Sequence, residues 1–248
     1  MKKITTSLTT SALALSLILG ASSSTVNASE LKNGTESAIQ ESAQISKDEI
    51  NQLKTFFNDY DVNQETQAIL LEKLNAGELW DSFKKDERPV HIFEVEKNDI
   101  FEKVEEYKDG SIIVSSVDYG TVEFSDNNLI SPLGITPGTA TSGSGYKTFK
   151  KAKVYYNGGV ANAYFYANFT IVQGGNDYIS NAYDPKVTAI GGSASDITLG
   201  VTRSKETLDN KASAKLSFNF TNFNNTGSVN GWLKLNVGKD SYSETHSF

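Results

Sequence analysis

The chain of 248 residues contains no cysteine and only two histidines, His91 and His246. Without cysteine it has no disulfides, no thiolate metal ligands, no cysteine nucleophile and no cysteine that could carry a lipid anchor. A Ser–His–Asp arrangement would have to use His91, because His246 lies close to the C-terminus, where chains are usually frayed. No G-x-S-x-G motif accompanies His91, and we interpret it as a half-buried structural residue.

The scarcity of side chains that commonly act in catalysis argues against an enzymatic function. Catalytic zinc normally needs three protein ligands rich in histidine, so we expect neither zinc nor any other cofactor. The remaining candidates in the C-terminal half are carboxylates: Asp177, Asp184, Asp196, Glu206 and Asp209. Two of them could hydrolyse a glycosidic bond without histidine, although most lie in turn sequences, where aspartate forms local hydrogen bonds.

The same region contains a weaker signal for a hard cation. Asp177 and Asp184, with the neighbouring Asn176 and Asn181, offer oxygen ligands of the kind that calcium prefers. No loop has the D-x-D-x-D-G spacing of a calcium-binding loop, however. We therefore predict no metal site and keep calcium as the weak alternative.

Long apolar runs are scarce, and the one near the N-terminus is too short and too polar for a good membrane span. Two lysines precede the Ser/Thr-diluted run Leu8–Leu19, and Val26–Ala28 supplies small residues of the kind that signal peptidase recognises. We predict a signal peptide at residues 1–28, cleavage after Ala28, and a secreted, extracellular mature form without a transmembrane segment. An uncleaved anchor is the alternative.

The formal net charge is −7, and the excess of acid lies in the first half of the chain. Between Ser29 and Asp109 acidic residues outnumber basic ones two to one, whereas the remainder is nearly neutral. This distribution argues against nucleic acid and anionic membranes as the main partners. A basic cluster from Lys147 to Lys153 could attract polyanionic wall polymers, but a solvated strand edge protected by lysine explains it as well.

The acidic half begins with a polar segment and a helical hairpin. Residues 29–45 have no apolar period, which indicates a flexible lead. Ser46 and Glu49 form a capping box for a first helix, while Asn63 caps a second helix that Gly77 ends. Apolar residues recur at helical spacing along both helices, so their stripes must pack on each other or on a β domain.

After Pro89 the apolar residues no longer recur at helical spacing, and proline itself forbids continuation of a helix. Alternating residues from Val90 onward and a turn at Asp109–Gly110 predict strands, so residues 46–130 form an acidic helical hairpin followed by a few strands. Residues 131–145 are dense in Pro, Gly, Ser and Thr and predict a linker.

After that linker the sequence predicts only strands. In Val160–Val172 the odd positions are apolar and the even positions are polar or amphipathic, which is the period of a strand with one buried face. Similar segments between turn signals predict about seven or eight short strands in residues 146–248, arranged as an antiparallel β-sandwich. The predicted fold class is mainly β, and α+β overall, with the helical hairpin preceding the sandwich.

The sharpest functional signal is aromatic. Tyr164 and Tyr166 occupy the polar face of the strand at Val160–Val172, flanked by Asn162 and Asn168. Trp232 occupies the polar face of the last strong strand. Rings that stack and amides that hydrogen-bond suit a surface for sugars or for another protein. Packing is the simpler explanation, since aromatic residues favour strands and the helices or earlier strands could cover this face.

Several sequence segments are similar to those of known proteins: NAGELWDSF at Asn75–Phe83, YKDGSII at Tyr107–Ile113, GSGYKTFKKAKVYY at Gly143–Tyr156, the run Tyr164–Tyr178, and Gly191–Gly192. They resemble uncharacterised secreted proteins of Gram-positive bacteria that carry a C-terminal β domain of unknown function. The resemblance implies secretion and the two-part architecture. It carries over no catalytic residue.

We therefore expect a bacterial, secreted, non-catalytic binding module for a cell-envelope glycan or for a protein. The expected binding residues are Tyr164, Tyr166, Trp232, Asn162 and Asn168. The alternatives are a carboxylate-dependent extracellular hydrolase and a secreted toxin or membrane-active β protein. The residues leave open the ligand, the oligomeric state and whether the helical part is a removable pro-region.

Overall fold

The structure is a computed structural model that describes residues 45–97, 100–119, 122–123, 139–222 and 227–248. The predicted signal peptide, nearly all of the flexible lead and residues 131–138 of the predicted linker lie outside these residues. The described residues form one compact unit. None of the described helices has the length and apolar character needed to cross a membrane.

Two helices precede twelve strands in the described residues. The helices are α1 Lys47–Asp59 and α2 Gln64–Asn75, and a 3-10 helix follows at Asp81–Phe83. The strands are β1 His91–Lys97, β2 Ile100–Glu106, β3 Ile112–Asp118, β4 Val122–Glu123, β5 Thr139–Gly143, β6 Tyr146–Asn157, β7 Ala161–Val172, β8 Tyr178–Ala189, β9 Gly192–Arg203, β10 Ala212–Asn222, β11 Ser228–Val237 and β12 Tyr242–Ser247.

Both helices begin where the capping signals predict. The Ser46 Oγ accepts a hydrogen bond from the Glu49 N–H at 3.2 Å, and the Glu49 carboxylate accepts one from the Ser46 N–H at 2.8 Å. In α2 the Asn63 Oδ1 accepts from the Thr66 N–H at 2.9 Å. Each cap supplies a partner for a backbone donor that the first helical turn cannot satisfy. The apolar stripes of both helices are buried, as predicted, at Leu53, Phe57, Leu70 and Leu74.

Eight of the strands form the larger sheet, in which β6 is the branching strand. β1, β2 and β3 form an antiparallel meander that reaches the second half of β6, where Val117 lies opposite Val154. The first half of β6 pairs with β5, which pairs in parallel with β4. Along its other side β6 pairs with β7, and β8 follows β7 at the edge of the sheet.

The smaller sheet contains β9 to β12 in the order β12-β11-β10-β9, with every neighbouring pair antiparallel. The two sheets pack face to face, so the predicted fold class, a helical hairpin preceding an antiparallel sandwich, is confirmed. The membership of the sheets differs from the expectation. Strands on both sides of the predicted linker share the larger sheet, and residues 139–143 of that linker form β5.

The alternation predicted for β7 is also its burial pattern. Its inner face carries small and large apolar side chains in turn, all of them buried: Ala161, Ala163, Phe165, Ala167 and Phe169. Neighbouring strands fill the spaces with rings. Phe149 stacks on Phe169 at a centroid distance of 4.5 Å, and Tyr156 of the larger sheet stacks on Phe218 of the smaller one at 6.3 Å. Interdigitation of this kind is what holds two sheets together.

The segment after α2 connects the helices to the core of the sandwich. The Trp80 Nε1 donates to the Leu70 carbonyl at 2.8 Å, which holds the indole against α2. The Phe83 ring lies 4.6 Å from the Phe248 ring. A Cβ on Gly158, in the turn between β6 and β7, would lie 2.7 Å from the Phe83 ring, so only glycine allows this approach. Helices and sandwich therefore share one hydrophobic core.

The sequence on either side of Pro185 predicts two short strands, and the structure joins them into the single strand β8. This strand is at an edge of the larger sheet, where a residue without an N–H is tolerated. Its pairing with β7 shifts register between Tyr164 and Tyr166. Asp184 and Pro185 occupy that irregularity, and Asp184 has a φ of +51°.

Candidate functional site

The structure divides the predicted binding residues between two opposite sides of the sandwich. Tyr164 and Tyr166 alternate with the buried Phe165, so they project from the outer face of the larger sheet, as do Asn162 and Asn168. Trp232 precedes the buried Leu233, so it projects from the outer face of the smaller sheet. Because the sheets pack through their inner faces, Trp232 belongs to a different surface from the two tyrosines.

A row of three tyrosines forms on the outer face of β7 and β8, and we call Tyr164, Tyr166 and Tyr183 the tyrosine face. The rings of Tyr164 and Tyr166 are nearly perpendicular, with centroids 5.8 Å apart. The rings of Tyr166 and Tyr183 lie 6.1 Å apart and within 27° of parallel. All three side chains are half-buried. Sequence analysis missed Tyr183, because its place opposite Tyr166 depends on a strand register that the sequence alone does not give.

Lys153 of β6 adds a cation to this face. Its Nζ lies 4.7 Å from the centroid of the Tyr164 ring and 5.3 Å from that of Tyr155. Such contacts are worth about 0.5–1 kcal/mol at exposed sites. They hold the ammonium group beside the rings, where it can also donate hydrogen bonds.

The helices cover only the border of this face. The Tyr60 hydroxyl, at the end of α1, donates to the Glu102 Oε2 at 2.7 Å, and the Tyr155 hydroxyl donates to the Glu102 Oε1. Burial, reinforced by the neighbouring Glu102 carboxylate, raises the pKa of Tyr60 and Tyr155 well above the usual range. The packing explanation therefore holds for Tyr155. The ring contacts of Tyr166, in the described part of the chain, come from Tyr164 and Tyr183.

The two predicted asparagines have different surroundings. The Asn168 Oδ1 accepts a hydrogen bond from the Lys151 N–H at 2.7 Å and lies 3.5 Å from the Tyr183 hydroxyl. Lys151 has a φ of +54° at an irregularity of β6, so Asn168 stabilises the backbone there. The Asn162 Oδ1 is buried and has no hydrogen-bond partner among the described residues. Because this oxygen has almost no accessible surface, Asn162 does not present it to a ligand on the tyrosine face.

Trp232 lies among small polar neighbours. It pairs with Ser217 and Ser247 across the strands, and the Lys215 Nζ lies 5.1 Å from its ring. Its side chain is half-buried. In the described part of the chain no second ring stacks on it, so no aromatic platform forms on this side.

Among the carboxylates considered for calcium or hydrolysis, Asp177 and Glu206 accept backbone hydrogen bonds, whereas Asp184 and Asp196 lie in the strands β8 and β9. The buried Asp177 accepts hydrogen bonds from the Val172 N–H at 2.8 Å and from the Asp240 N–H at 3.1 Å, so it ties three segments together. Asp184 lies seven residues further along an extended strand, about 20 Å away. Among the described residues no group of three His, Cys, Asp or Glu side chains could hold a metal ion.

A cluster of four charged residues that sequence analysis missed joins the two sheets. It contains Lys103 and Glu105 of β2 with Glu244 and His246 of β12, and we call it the charged cluster. The Lys103 Nζ lies 3.1 Å from the Glu105 Oε1 and 3.0 Å from the Glu244 Oε1. The His246 Nε2 and Nδ1 each lie 3.1 Å from an oxygen of Glu105 and Glu244, respectively. The Ser115 Oγ donates to the Glu244 Oε1 at 2.7 Å.

Both expectations about the histidines are wrong. The side chain of His246 is only 5% exposed, because it points between the sheets and packs parallel to the Tyr156 ring at 5.6 Å. The sequence conceals this burial, since the inward side chains of β12 are polar and give no apolar period. His91, expected to be half-buried, lies exposed on the edge strand β1.

The charged cluster is balanced and fully ionised near neutral pH. Burial disfavours the charged form of His246, but its bonds to Glu105 and Glu244 outweigh this effect and raise the pKa to about 8. Burial likewise opposes ionisation of Glu105, and His246 and Lys103 reverse it, so that its pKa falls to about 2. The pKa of Glu244 is lowered by the same cations against the effect of burial.

This geometry does not suit the hydrolase alternative. Glycoside hydrolysis needs one carboxyl group that keeps its proton, whereas the pKa values of Glu105 and Glu244 are both lowered. Ser115 donates to the Glu244 carboxylate rather than to His246, and the lowered pKa of Glu244 makes this carboxylate a weak base for activating the hydroxyl. The cluster is an ion network that connects β2 with β12.

Two cavities lie on either side of the charged cluster. The larger, of about 470 Å³, is lined by Lys103, Ser115 and Glu244 among others, and the smaller, of about 190 Å³, by Glu105 and His246. Ligand sites typically have volumes of about 300–1,000 Å³. Only the larger of these two cavities falls in that range.

Comparison with known proteins gives a weak structural neighbour. No protein-family model matches the chain, and no curated protein matches it either. Among solved structures, a hypothetical protein from Listeria monocytogenes EGD-e is 22% identical with a TM-score of 0.34, and the match covers 59% of this chain and 92% of that one. That neighbour is a bacterial protein described only as hypothetical, and a likeness of this size carries no argument about function.

Proposed function

We propose that the protein is a secreted, non-catalytic binding module that recognises a cell-envelope glycan through the tyrosine face. One observation carries this proposal. Three half-buried tyrosines from two adjacent strands contact one another on the outer face of the larger sheet, beside a lysine.

The chemistry of the face suits a sugar. A tyrosine ring stacks on the apolar C–H groups of a sugar ring, while its hydroxyl exchanges hydrogen bonds with the sugar hydroxyls. Lys153 supplies a further donor. Because these groups lie on paired strands rather than on loops, they are ordered before a ligand arrives, and binding costs little conformational entropy.

A protein partner fits this face less well. A stable protein–protein interface buries about 800 Å² on each partner around an apolar centre. The most exposed apolar side chains of the larger sheet, Ile92 and Phe101, lie on β1 and β2 rather than beside the tyrosine face.

Binding of the mature protein to purified cell-wall polysaccharides, measured by pull-down and calorimetry, tests the proposal. Replacing Tyr166, the central ring of the three, by alanine should weaken glycan binding by about three- to tenfold, the loss expected for one aromatic contact. The triple variant Tyr164→Ala, Tyr166→Ala, Tyr183→Ala should abolish detectable retention.

Trp232→Ala is the matched control, since it removes a half-buried aromatic ring from the opposite sheet. Its glycan affinity should equal that of the wild type. A loss as large as that of Tyr166→Ala, or full retention by the triple variant, would exclude the tyrosine face as the binding surface. Near-ultraviolet circular dichroism and thermal melting verify that each variant is folded.

Two further measurements test the other parts of the proposal. Mass spectrometry of protein from the culture medium should give Ser29 as the first residue, and an intact Met1 would contradict secretion with cleavage after Ala28. Prolonged incubation with the bound glycan should release no new reducing ends. Their appearance would show that the module is catalytic.

A further inference from the structure

One margin of the smaller sheet ends in an unpaired strand, β12. It pairs with β11, and in the described part of the chain no strand lies along its other side. The Gly238 N–H donates to the Ser241 carbonyl at 2.9 Å, and hydrogen-bonded pairs alternate along an antiparallel ladder. The main-chain groups of Tyr242, Glu244 and His246 therefore point away from β11.

The two cavities beside the charged cluster lie along this edge. Tyr242 and Glu244 line the larger cavity, and His246 lines the smaller one. The side chain of His246 is only 5% exposed, whereas the residue as a whole is half-buried. Most of its exposed surface therefore belongs to the main chain, which places the edge of β12 within reach of a ligand.

The opposite margin of the sandwich is closed by the protein itself. There the Ile179 N–H of β8 donates to the Ser204 carbonyl at 2.8 Å, in the segment that follows β9. Tyr178 forms a further bridge with Lys205. These bonds join the larger sheet to the smaller one at that side, so an added strand would compete with them. At β12 it would not.

The larger sheet extends beyond β12. Bonds within the charged cluster link β2 to β12, so β12 lies over β2. Ile92 and Glu94 of β1 lie opposite Glu105 and Lys103, so all four side chains project from the same face. Ile92 and Glu94 are nevertheless exposed, because the smaller sheet ends at β12. We call the space over β1 and beside β12 the edge groove.

Exposed apolar side chains mark both ends of the edge groove. Ile92 is 60% exposed at one end and Phe101 is 64% exposed at the other. Phe101 lies opposite Glu96, which is four residues from Ile92, so the two positions are about 13 Å apart along the strand. In an extended chain, side chains at i and i+4 have the same separation and the same direction. One added strand could therefore cover both.

Acidic side chains lie between and beside these two apolar residues. Glu94 and Glu96 are exposed on the same face, and neither forms a salt bridge with another described residue. Lys103 lies opposite Glu94, but its ammonium group already lies within 3.1 Å of Glu105 and Glu244. Three further cations line the smaller cavity and precede β1 in the chain: Lys84, Lys85 and Arg88. A cation midway along an added strand would therefore meet Glu94.

We infer that an extended segment of a partner protein adds to the edge of β12 and fills the edge groove. Its main chain pairs with that of β12, as in other cases of strand addition. On the side that faces β1 it carries two apolar side chains four positions apart, which cover Ile92 and Phe101. A lysine or arginine midway between them faces Glu94. This inference does not depend on the tyrosine face, which lies on other strands.

A second copy of the chain suits the edge groove less well. Its β1 carries the exposed Ile92 but places Glu94 two residues further on, where that carboxylate would meet Glu94 of the first copy. Like charges that face each other across paired strands are destabilising. Its β12 has the inward side chains Glu244 and His246 engaged in the charged cluster.

Fluorescence anisotropy of a labelled synthetic peptide, TITKTVT, titrated with the mature protein tests the inference. This peptide has the required spacing in either chain direction. Replacing its lysine by glutamate, in TITETVT, should weaken binding about three- to tenfold, and moving the lysine to the other face, in TIKTTVT, about two- to fivefold. Equal affinity for the three peptides, or no binding of TITKTVT at millimolar concentration, would overturn the inference.

Two N-methylated forms of TITKTVT test the pairing of main chains. One form carries methyl groups on the amides of isoleucine, lysine and valine, and the other on those of the threonines between them. Alternate amides of a strand point to opposite edges, and only one edge of the added strand faces β12. One form should therefore lose at least tenfold in affinity, and the other should bind like the parent peptide. Equal effects in both forms would exclude strand addition.

Two variants locate the peptide, each with a matched control. Ile92→Thr keeps a strand-forming residue and should weaken TITKTVT binding about three- to tenfold, whereas Ile197→Thr, at an exposed isoleucine of β9, should not. Glu94→Gln should weaken binding of TITKTVT and strengthen that of TITETVT, whereas Glu78→Gln, at an exposed acid after α2, should change neither. Equal effects in a variant and its control would overturn the assignment to the edge groove.

Two further measurements exclude other arrangements. The tyrosine triple variant should bind TITKTVT like the wild type even though it no longer binds glycan, and a loss would place the peptide on the tyrosine face. Sedimentation of the mature protein should give a monomer. A dimer that TITKTVT dissociates would assign the edge of β12 to a second copy and overturn the inference of a partner protein.

Discussion

Raising the pH from 6.5 to 9 should destabilise the protein through His246. In the folded chain the pKa of this histidine is about 8, against an ordinary value of 6.5. Between these two values the folded state binds the proton that the unfolded state has lost. The stabilisation is therefore fully present below pH 6.5 and disappears as the pH rises through 8.

The magnitude follows from the size of this pKa difference. One unit corresponds to about 1.4 kcal/mol, so His246 contributes about 2 kcal/mol that is lost by pH 9. For a compact unit of this size the loss lowers the melting temperature by about 4–8 °C. Glu105 and Glu244 do not change in this window, because carboxylates with lowered pKa values are ionised in both states above pH 6.5.

Urea unfolding at pH 6, 7.5 and 9 measures this effect, with the fluorescence of the buried Trp80 as the signal. The wild type should lose about 2 kcal/mol across the series. His246→Gln should be less stable at pH 6, because it leaves Lys103 as the one cation of the charged cluster facing two buried carboxylates, and its stability should then vary little with pH. His91→Gln, at an exposed histidine, should behave like the wild type.

Two results would refute the reasoning. A wild-type stability that stays constant from pH 6 to 9 would mean that His246 has the same pKa in the folded and unfolded chains. A pH dependence that persists in His246→Gln would assign the effect to another group.

Three further substitutions have effects that urea unfolding can measure. Phe83→Ala should lower the free energy of unfolding by about 3–5 kcal/mol, because its ring is fully buried, whereas Phe101→Ala should lower it by less than about 1 kcal/mol. Equal losses would contradict the shared hydrophobic core of helices and sandwich. Gly110→Ala should lower the free energy of unfolding by about 1–3 kcal/mol, since the φ of Gly110 is +79° and the new Cβ would lie 2.3 Å from a methyl group of α2. Gly174 also has a positive φ but has open space around it, so Gly174→Ala should lower the free energy of unfolding by less. Asp177→Asn leaves one acceptor oxygen for two backbone N–H groups, so it should cost about 1–2 kcal/mol, and an unchanged stability would show that one of these bonds is dispensable.

Local signals in the sequence were sufficient for the elements that depend on local contacts. The capping box at Ser46 and the cap at Asn63 are bonds between residues three positions apart, so they can be read directly from the chain. The alternation of β7 identified its buried face because one side of the strand meets only apolar neighbours.

Partners distant in the chain could not be predicted in this way. Alternation tells which side chains share a face of their own strand, but not which sheet the strand joins. Tyr164 and Trp232 therefore gave the same signal, although they lie on opposite sides of the molecule. Tyr183 reaches Tyr166 through the pairing of β7 with β8, which two register shifts make irregular.

Polar residues in the interior were the other source of error. Glu244 and His246 point inward on β12, so the period that marks a buried strand is absent from that segment. Their burial depends on Lys103 and Glu105, more than a hundred residues earlier in the chain. The ion pairs that keep these side chains between the sheets can be recognised only once the sheets are assembled.

The branching of the larger sheet at β6 has a consequence for amide exchange. Hydrogen bonds from β3, β5 and β7 surround β6, so its amide protons can reach solvent only when the sheet itself opens. β1 and β12 are sheet edges and can open by fraying at a much lower free energy. The molecule therefore loosens from its margins inward, and the β6–β7 hairpin is the part that retains its protons longest.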